Sequence, residues 1–205
     1  MGITEKKYLG AVILAGGKGE RFQGQKQFYL LDGKPLWKHV YDKVFDVLNN
    51  NNIIVVGVDV PGGKTRTDSV IKGINKLSNN TERVIIAEAA RPLVTREQIR
   101  EILFDQYPSS SFVMPLVNTV IKRDGNYLDR EMMYELLVPQ AFDFSLLKDA
   151  LNSGKFKNTT DETRVMFEYH GIKPHFIETK ENLIKVTYQR DIFVINSLFK
   201  IYNKG

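Results

Sequence analysis

The segment Ala11-Val-Ile-Leu-Ala-Gly-Gly-Lys-Gly-Glu-Arg-Phe22 decides the prediction of the fold. Its first four residues form a short apolar run, which is typical of a strand buried on both faces of a parallel sheet. The glycine-rich turn that follows would lie at the carboxyl edge of that sheet, where backbone N–H groups can bind phosphates or a base. The segment therefore predicts a nucleotide site, with a flexible strand-to-helix connection as the alternative.

Spacing excludes two familiar nucleotide motifs. The dinucleotide fingerprint would need glycine in place of Phe22, and a P-loop ahead of Gly63-Lys-Thr65 would need glycine in place of Val58. Arg21 and Lys26 follow the glycines, and two cations beside an amide-lined turn suit a triphosphate whose charge grows on the leaving pyrophosphate. The alternative for these two residues is a pair of solvated surface cations.

Composition narrows the class of protein. The chain has 205 residues, 42% hydrophobic and 26% charged, which fits a single folded domain over residues 1–205 and excludes disorder or a rod. It has no cysteine, so disulfides and thiol nucleophiles are excluded. No apolar run is long enough for a membrane span or a signal peptide, and we expect a cytoplasmic protein with no membrane partner. The net charge of +5 comes from dispersed Lys and Arg, so we expect small anionic ligands rather than nucleic acid.

Apolar runs and helical periods alternate along the chain. Strands are predicted at residues 11–14, 53–56, 84–87, 112–114 and 183–187. Helical periods lie between them, one beginning at a Thr95/Gln98 capping-box pattern and another covering 161–169, and a last helix ends the chain. The alternation predicts an α/β fold with a doubly wound, mostly parallel sheet. Residues 116–133 depart from it, because a half-polar run with a strong turn signal predicts a hairpin arm that leaves the sheet.

Further motifs follow the glycine turn in a fixed order. They are Lys26-Gln-Phe28, Gly33-Lys-Pro-Leu36, Gly62-Gly-x-x-Arg-x-Asp-Ser-Val70, Ala89-Ala-Arg-Pro92, Pro139-Gln-x-Phe142, Thr160-Asp-Glu162 and Ile184-Lys-Val-Thr187. Together, over roughly residues 11 to 195, they resemble the signature of the methylerythritol-phosphate and ribitol-phosphate cytidylyltransferases. The resemblance implies a Rossmann-like nucleotidyltransferase that uses CTP and Mg²⁺ to transfer CMP to the phosphate of a small polyol or sugar phosphate, with release of pyrophosphate.

The resemblance also implies a role for each matching residue. The catalytic residues that bind the triphosphate would be Arg21, Lys26 and Lys185. The nucleotide would be bound by Ala15, Gly16, Gly17, Gly19, Gly62, Gly63, Arg66 and Ser69. The acceptor would be bound by Arg91, Arg130 and Thr119. Arg130 would reach the neighbouring subunit's site on the arm, which implies a homodimer, and Glu88 would coordinate Mg²⁺.

Some positions depart from the family pattern. Ala87-Glu88 replaces a His-Asp pair, so the candidate metal ligand extends one methylene further. Thr119, Val120 and Val138 replace polar residues near the acceptor pocket, so we expect methylerythritol phosphate to bind poorly. The Leu14-Ala-Gly-Gly17 and Lys26-Gln-Phe28 variants favour ribitol phosphate, and a dedicated acceptor for surface-glycan assembly is the alternative. Only a short segment, 58–62, stands where the family has a helix and a strand, so we expect a sheet that lacks one βα unit.

Two other functions stay open on the sequence. A molybdopterin guanylyltransferase or a nucleotide-sugar pyrophosphorylase would share the Leu14-Ala-Gly-Gly17 opening and would use another nucleotide. A non-catalytic nucleotide-binding module would be consistent with Glu88 and with a shortened loop after Arg21.

Two acidic residues lie in the helix predicted at residues 161–169. We expect Glu162 and Glu168 on the solvated face of that helix.

Overall fold

A six-stranded mixed sheet lies at the centre of the fold. The computed structural model describes residues 8–179 and 183–202. The strands in chain order are β1 (Leu9–Leu14), β2 (Leu30–Leu31), β3 (Lys34–Pro35), β4 (Ile53–Val56), β5 (Arg83–Glu88), β6 (Ser109–Pro115), β7 (Val120–Ile121), β8 (Tyr127–Leu128), β9 (Tyr134–Asp143) and β10 (His175–Glu178). The central sheet has the order β10-β6-β9-β5-β1-β4, in which only β9 is antiparallel to its neighbours. The predicted α/β fold with a mostly parallel sheet is confirmed.

Helices cover both faces of this sheet. Those in the described ranges are α1 (Leu36–Leu48), α2 (Arg66–Ile74), α3 (Arg96–Leu103), α4 (Phe144–Asn152), α5 (Glu162–His170) and α6 (Asp191–Tyr202). Alternate side chains of β1 point to opposite faces, so Ala11 and Ile13 pack with α1 and α3, whereas Val12 packs with α2, α4 and α5. Every residue of β5 is buried. The continuous apolar runs therefore reflect strands covered on both sides, as predicted.

Local capping signals set the predicted helix boundaries. The Thr95 side chain accepts a hydrogen bond from the Gln98 backbone N–H, and the Gln98 side chain accepts one from the Thr95 N–H, so the predicted capping box begins α3. Thr65 and Asp68 form a second capping box that begins α2. These reciprocal bonds satisfy N–H groups that have no partner inside the helix.

A small hairpin lies between β6 and β9, in the segment for which the sequence predicts an arm. Strands β7 and β8 pair antiparallel, and the Asn126 N–H donates to the Asp124 carboxylate at 3.1 Å in the turn. Val117, Tyr127 and Met132 are 76%, 76% and 82% exposed, so the arm presents apolar side chains to solvent.

The prediction of a final strand at residues 183–187 is wrong. The Val186 N–H donates to the Ala90 carbonyl at 2.8 Å, and the Val186 carbonyl accepts from Lys26 Nζ at 2.7 Å. The backbone there bonds to a loop and a side chain rather than to a neighbouring strand. We call residues 183–187 the strap. The edge strand is β10, which pairs with β6 and which the sequence pattern did not indicate.

Strand β9 is also absent from the prediction. Its pairing with β6 shifts register between Ser111 and Phe112, which lie opposite Gln140 and Leu137. The extra residues between these partners include Pro139, which cannot donate to a ladder and is tolerated at such an irregularity.

Strand β4 forms the other edge of the sheet, and the chain runs from it through a short loop into α2. In the described residues no helix or strand lies between β4 and α2, and the expected loss of a βα unit relative to the family stays a prediction. Within residues 8–179 and 183–202, the helices are too short or too polar to cross a membrane.

Candidate nucleotide site

A cavity of about 510 Å³ lies at the carboxyl end of β1, where the sequence predicts the nucleotide site. Its walls come from the glycine turn, the start of α2, the end of β5 and the strap. The predicted residues that line it are Ala15, Gly16, Gly17, Gly19, Arg21, Lys26, Gly63, Arg66, Ser69, Glu88 and Lys185. The tertiary structure therefore brings together most of the residues assigned to the nucleotide and to catalysis, from four separate segments.

Gly62 does not line the cavity but supports the turn from behind. A Cβ atom on Gly16 would lie 2.9 Å from the Gly62 Cα, closer than two such atoms can approach. The two backbones can therefore touch only because both residues are glycine. This contact fixes the turn after β1 against the loop after β4.

Gly19 shapes the loop that carries the two predicted cations. Its φ is +68°, and a Cβ there would lie 1.8 Å from the Gly24 carbonyl oxygen. The carbonyl of Gly19 accepts from the N–H groups of Phe22 and Gly24. The resulting tight loop places Arg21 and Lys26 on the same wall of the cavity.

The start of α2 forms a second wall. The Gly63 N–H donates to the Ser69 hydroxyl at 2.9 Å, and that hydroxyl donates to the Thr65 carbonyl at 3.1 Å. Because the N-terminal end of a helix carries partial positive charge, this wall favours an anionic ligand. Ser69 therefore shapes the Gly63 loop in addition to lining the cavity.

Of the described residues, six with cationic side chains and two with acidic ones line the cavity. Lys26 approaches from the glycine loop, and its Nζ donates to the strap at Val186. Burial lowers the pKa of Lys26, and repulsion from Lys185 lowers it further. Arg21 lies on the exposed rim with its guanidinium carbon 5.9 Å from the Tyr188 ring centroid. A polyanion such as a triphosphate would relieve the repulsion among these cations.

Glu88 at the end of β5 is the buried counter-charge of this site. Its carboxylate lies 2.7 Å from Lys185 Nζ, 3.5 Å from Arg66 Nε and 3.6 Å from Arg91 Nε. Burial acts to raise the pKa of Glu88, but the ion pairs, led by Lys185, outweigh it and hold the pKa below its ordinary value. The carboxylate is therefore ionised at neutral pH, as a metal ligand must be.

In the part of the chain that the structure describes, no three His, Cys, Asp or Glu residues come together as a metal site. Of the described residues, the buried Glu88 and the exposed Glu20 are the carboxylates that line the cavity. A single carboxylate fits Mg²⁺ only when the ion is also held by substrate phosphates and water, which is its common mode of binding.

Arg91 is one of the predicted acceptor residues, and it lies beneath the cavity wall rather than on it. It is 9% exposed, contacts Glu88 and donates to the strap carbonyl of Leu183. It thus fixes the strap from below. Its predicted contact with the acceptor stays a prediction.

Thr119 and Arg130 lie on the arm and do not line the nucleotide cavity. Both are exposed, and the Arg130 guanidinium donates to the Val117 carbonyl within the arm. One chain therefore does not bring the predicted acceptor residues to the predicted nucleotide residues, and their assignment stays a prediction.

Glu162 is a residue of this region that the sequence analysis assigned wrongly. It is 1% exposed and its Oε1 lies 2.5 Å from Arg66 Nη1, so it is not on a solvated face, whereas Glu168 is exposed as predicted. A signal was present in the sequence, because the i+3 and i+4 positions from Glu162 are the apolar Val165 and Met166. That spacing places Glu162 on the buried face of α5.

Fold and site together are those of a nucleotidyltransferase, with a glycine turn after the first strand and a cationic cavity beside it. A family model described as 2-C-methyl-D-erythritol 4-phosphate cytidylyltransferase matches residues 55–200. The chain belongs to this family, and the predicted resemblance and the prediction of a cytidylyltransferase are confirmed.

Individual relatives agree with this assignment. The 2-C-methyl-D-erythritol 4-phosphate cytidylyltransferase of Haemophilus influenzae (strain PittGG) is 29% identical over 208 residues, covering 89% of this chain and 92% of that protein. The protein of the same name from Clostridium botulinum (strain 657 / Type Ba4) is 29% identical over 215 residues, covering 89% and 93%. The crystal structure of 4-diphosphocytidyl-2C-methyl-D-erythritol synthase from Anaerococcus prevotii shares the fold with a TM-score of 0.79 and 22% identity, covering 96% of this chain and 97% of that chain.

Proposed function

We propose that the protein transfers CMP from CTP to the phosphate of 2-C-methyl-D-erythritol 4-phosphate and releases pyrophosphate. The observation that carries the proposal is the cavity in which Arg21, Lys26, Arg66 and Lys185 surround the glycine turn. Membership of the family supports the choice of both substrates.

In the proposed reaction an oxygen of the acceptor phosphate attacks the α-phosphorus of CTP. A new P–O bond forms, the bond from the α-phosphorus to the bridging oxygen of the β-phosphate breaks, and pyrophosphate leaves with that electron pair. A phosphate monoester is already largely anionic at pH 7, so no general base is needed. Catalysis then rests on alignment and on neutralising the charge, which we assign to Arg21, Lys26 and Lys185.

We place Mg²⁺ on the phosphates of the nucleotide, with Glu88 as its protein ligand. When bound, the ion would neutralise phosphate charge. Supporting this role are the ionised state of Glu88 and its position on the cavity wall. Since Lys185 pairs with the same carboxylate, Lys185 would have to exchange Glu88 for a phosphate.

Thr119, Val120 and Val138, three of the positions that depart from the family pattern, lie outside the nucleotide cavity. Thr119 and Val120 lie on the arm, Val138 is 7% exposed within β9, and none of them lines the nucleotide cavity. Their effect on the acceptor depends on where the arm of a second subunit lies. We infer a homodimer in which the apolar arm packs on a partner and brings Arg130 to the partner's cavity.

A pyrophosphate-release assay tests the proposed function. We expect CTP with methylerythritol phosphate to reach a kcat/KM above about 10⁴ M⁻¹s⁻¹, the ordinary range for enzymes. Ribitol 5-phosphate, and GTP in place of CTP, serve as comparison substrates. A higher kcat/KM with ribitol phosphate would refute the acceptor, and preference for GTP would refute the nucleotide. CTP binding without turnover on either acceptor would favour the non-catalytic alternative.

A further inference from the structure

The Arg66 guanidinium is held between two carboxylates at the edge of the nucleotide cavity. Its Nη1 lies 2.5 Å from Glu162 Oε1, and its Nε lies 3.5 Å from Glu88 Oε1. Arg66 and Glu88 line the cavity, whereas Glu162 does not. Among the described residues that line the cavity, Arg66 is the one with which Glu162 forms an ion pair.

Two further contacts join the segment that precedes Glu162 in the sequence to the start of α2. The Thr67 hydroxyl donates to the Thr159 carbonyl at 2.7 Å, and the Thr65 hydroxyl donates to the Lys157 carbonyl at 3.2 Å. The position of the Glu162 carboxylate is thus fixed relative to the first turn of α2. Because an arginine side chain has many rotamers, a fixed acceptor for one of its nitrogens removes most of that freedom.

Glu162 also gives Arg66 a second carboxylate, so that Arg66 does not depend on Glu88 alone. Lys185 and Arg66 both pair with the Glu88 carboxylate, Lys185 at 2.7 Å and Arg66 at the longer 3.5 Å. Burial raises the pKa of Glu162, and its contact with the Arg66 guanidinium opposes that rise. Without the Glu162 carboxylate, Glu88 would be the one ion-pair partner left for Arg66 among the described residues. The guanidinium would then move towards Glu88 and away from its place at the cavity wall.

We propose that Glu162 is a positioning residue that holds Arg66 in the place from which it binds the nucleotide. The inference rests on the proposed function, since it assumes that the cavity takes CTP. It concerns binding of the nucleotide rather than the chemical step. Neutralising Glu162 should therefore weaken the binding of CTP more than it lowers kcat.

Glu162→Gln and Arg66→Lys are the two changes that test this. The amide keeps the shape of Glu162 without its charge, and lysine keeps the charge of Arg66 but cannot contact two carboxylates through a planar fork. We expect each change to raise the Kd for CTP with Mg²⁺ about tenfold, measured by calorimetry without an acceptor. The double variant should show about the same tenfold loss, because Glu162 acts only through Arg66.

The matched control is Glu168→Gln, which removes the same charge from the same helix. Glu168 pairs with Arg164 at 2.6 Å on the exposed face, and its loss should leave the Kd for CTP and the activity unchanged. A circular dichroism melt of each variant separates folding from binding. If Glu162→Gln does not fold, the Arg66→Lys protein still tests the positioning role. An unchanged Kd for CTP in Arg66→Lys would overturn that role.

The outcomes distinguish this inference from the proposed function. An unchanged Kd in Glu162→Gln, or losses that multiply to about a hundredfold in the double variant, would overturn the positioning role. A tenfold rise in KM for methylerythritol phosphate, with an unchanged Kd for CTP, would overturn it as well. Wild-type protein that binds CTP but turns over neither acceptor would refute the proposed reaction and leave the Kd comparison intact. Wild-type protein that binds no CTP would overturn both.

Discussion

Replacing Glu88 with glutamine removes the charge that three cations share. The Glu88 side chain is 8% exposed, and those of Arg91, Arg66 and Lys185 are 10%, 23% and 38% exposed. Lys185 can turn into water, and Arg66 keeps Glu162, so Arg91 is the cation that loses its counter-charge while buried. Leaving one buried charge unpaired costs about 3–5 kcal/mol, and we take the lower end because Arg91 keeps its bond to the strap.

A loss of about 3 kcal/mol should lower the Tm of a domain of this size by about 6–12 °C. Differential scanning calorimetry or a circular dichroism melt of Glu88→Gln at pH 7 measures it. The control is Glu20→Gln, which removes an acid from the same cavity, but one that is exposed, and whose loss should change stability by less than about 0.5 kcal/mol. If both variants melt within 2 °C of the wild-type protein, the network does not stabilise the fold and this reasoning is refuted.

Other predictions follow from the same geometry. Lys26→Ala should lower kcat about a hundredfold or more, as expected for loss of a group that stabilises the transition state. The control is Lys38→Ala, which removes a cation from a surface ion pair with Asp42 and should leave kcat unchanged. A near-wild-type kcat in Lys26→Ala would show that Lys26 has no catalytic role. Mixing inactive Arg130→Ala with inactive Lys26→Ala protein should restore part of the activity if the arm completes a partner's site, and no recovery after verified subunit exchange would contradict the shared site. Because the pKa of Glu88 is lowered, the ionised carboxylate stabilises the fold fully above its ordinary pKa of 4.5, and this stabilisation is lost as the pH falls through the folded-state pKa. The difference in Tm between wild-type protein and Glu88→Gln should therefore shrink on acidification. A difference that stays constant with pH would contradict an ionised Glu88.

The sequence by itself determined the elements whose cause is local. The buried strands β1, β4 and β5 follow from runs of apolar residues, and α3 begins where the Thr95/Gln98 capping box satisfies its free N–H groups. The glycine turn with Arg21 and Lys26 was also predictable, because a turn after a first buried strand must lie at the carboxyl edge of the sheet. These features depend on residues a few positions apart.

Only the tertiary structure decided features that depend on distant partners. Residues 183–187 have the pattern of a strand, but their backbone groups bond to Ala90 and Lys26, so the same extended run became a strap across the site. The antiparallel insertion of β9 depends on pairing with strands far away in the chain. Glu162 lies on the apolar face of α5, but its partner there is Arg66, 96 positions away in the chain. Periodicity indicates which face of an element is apolar, but the partner of a buried charge is fixed only when helices from separate parts of the chain pack together.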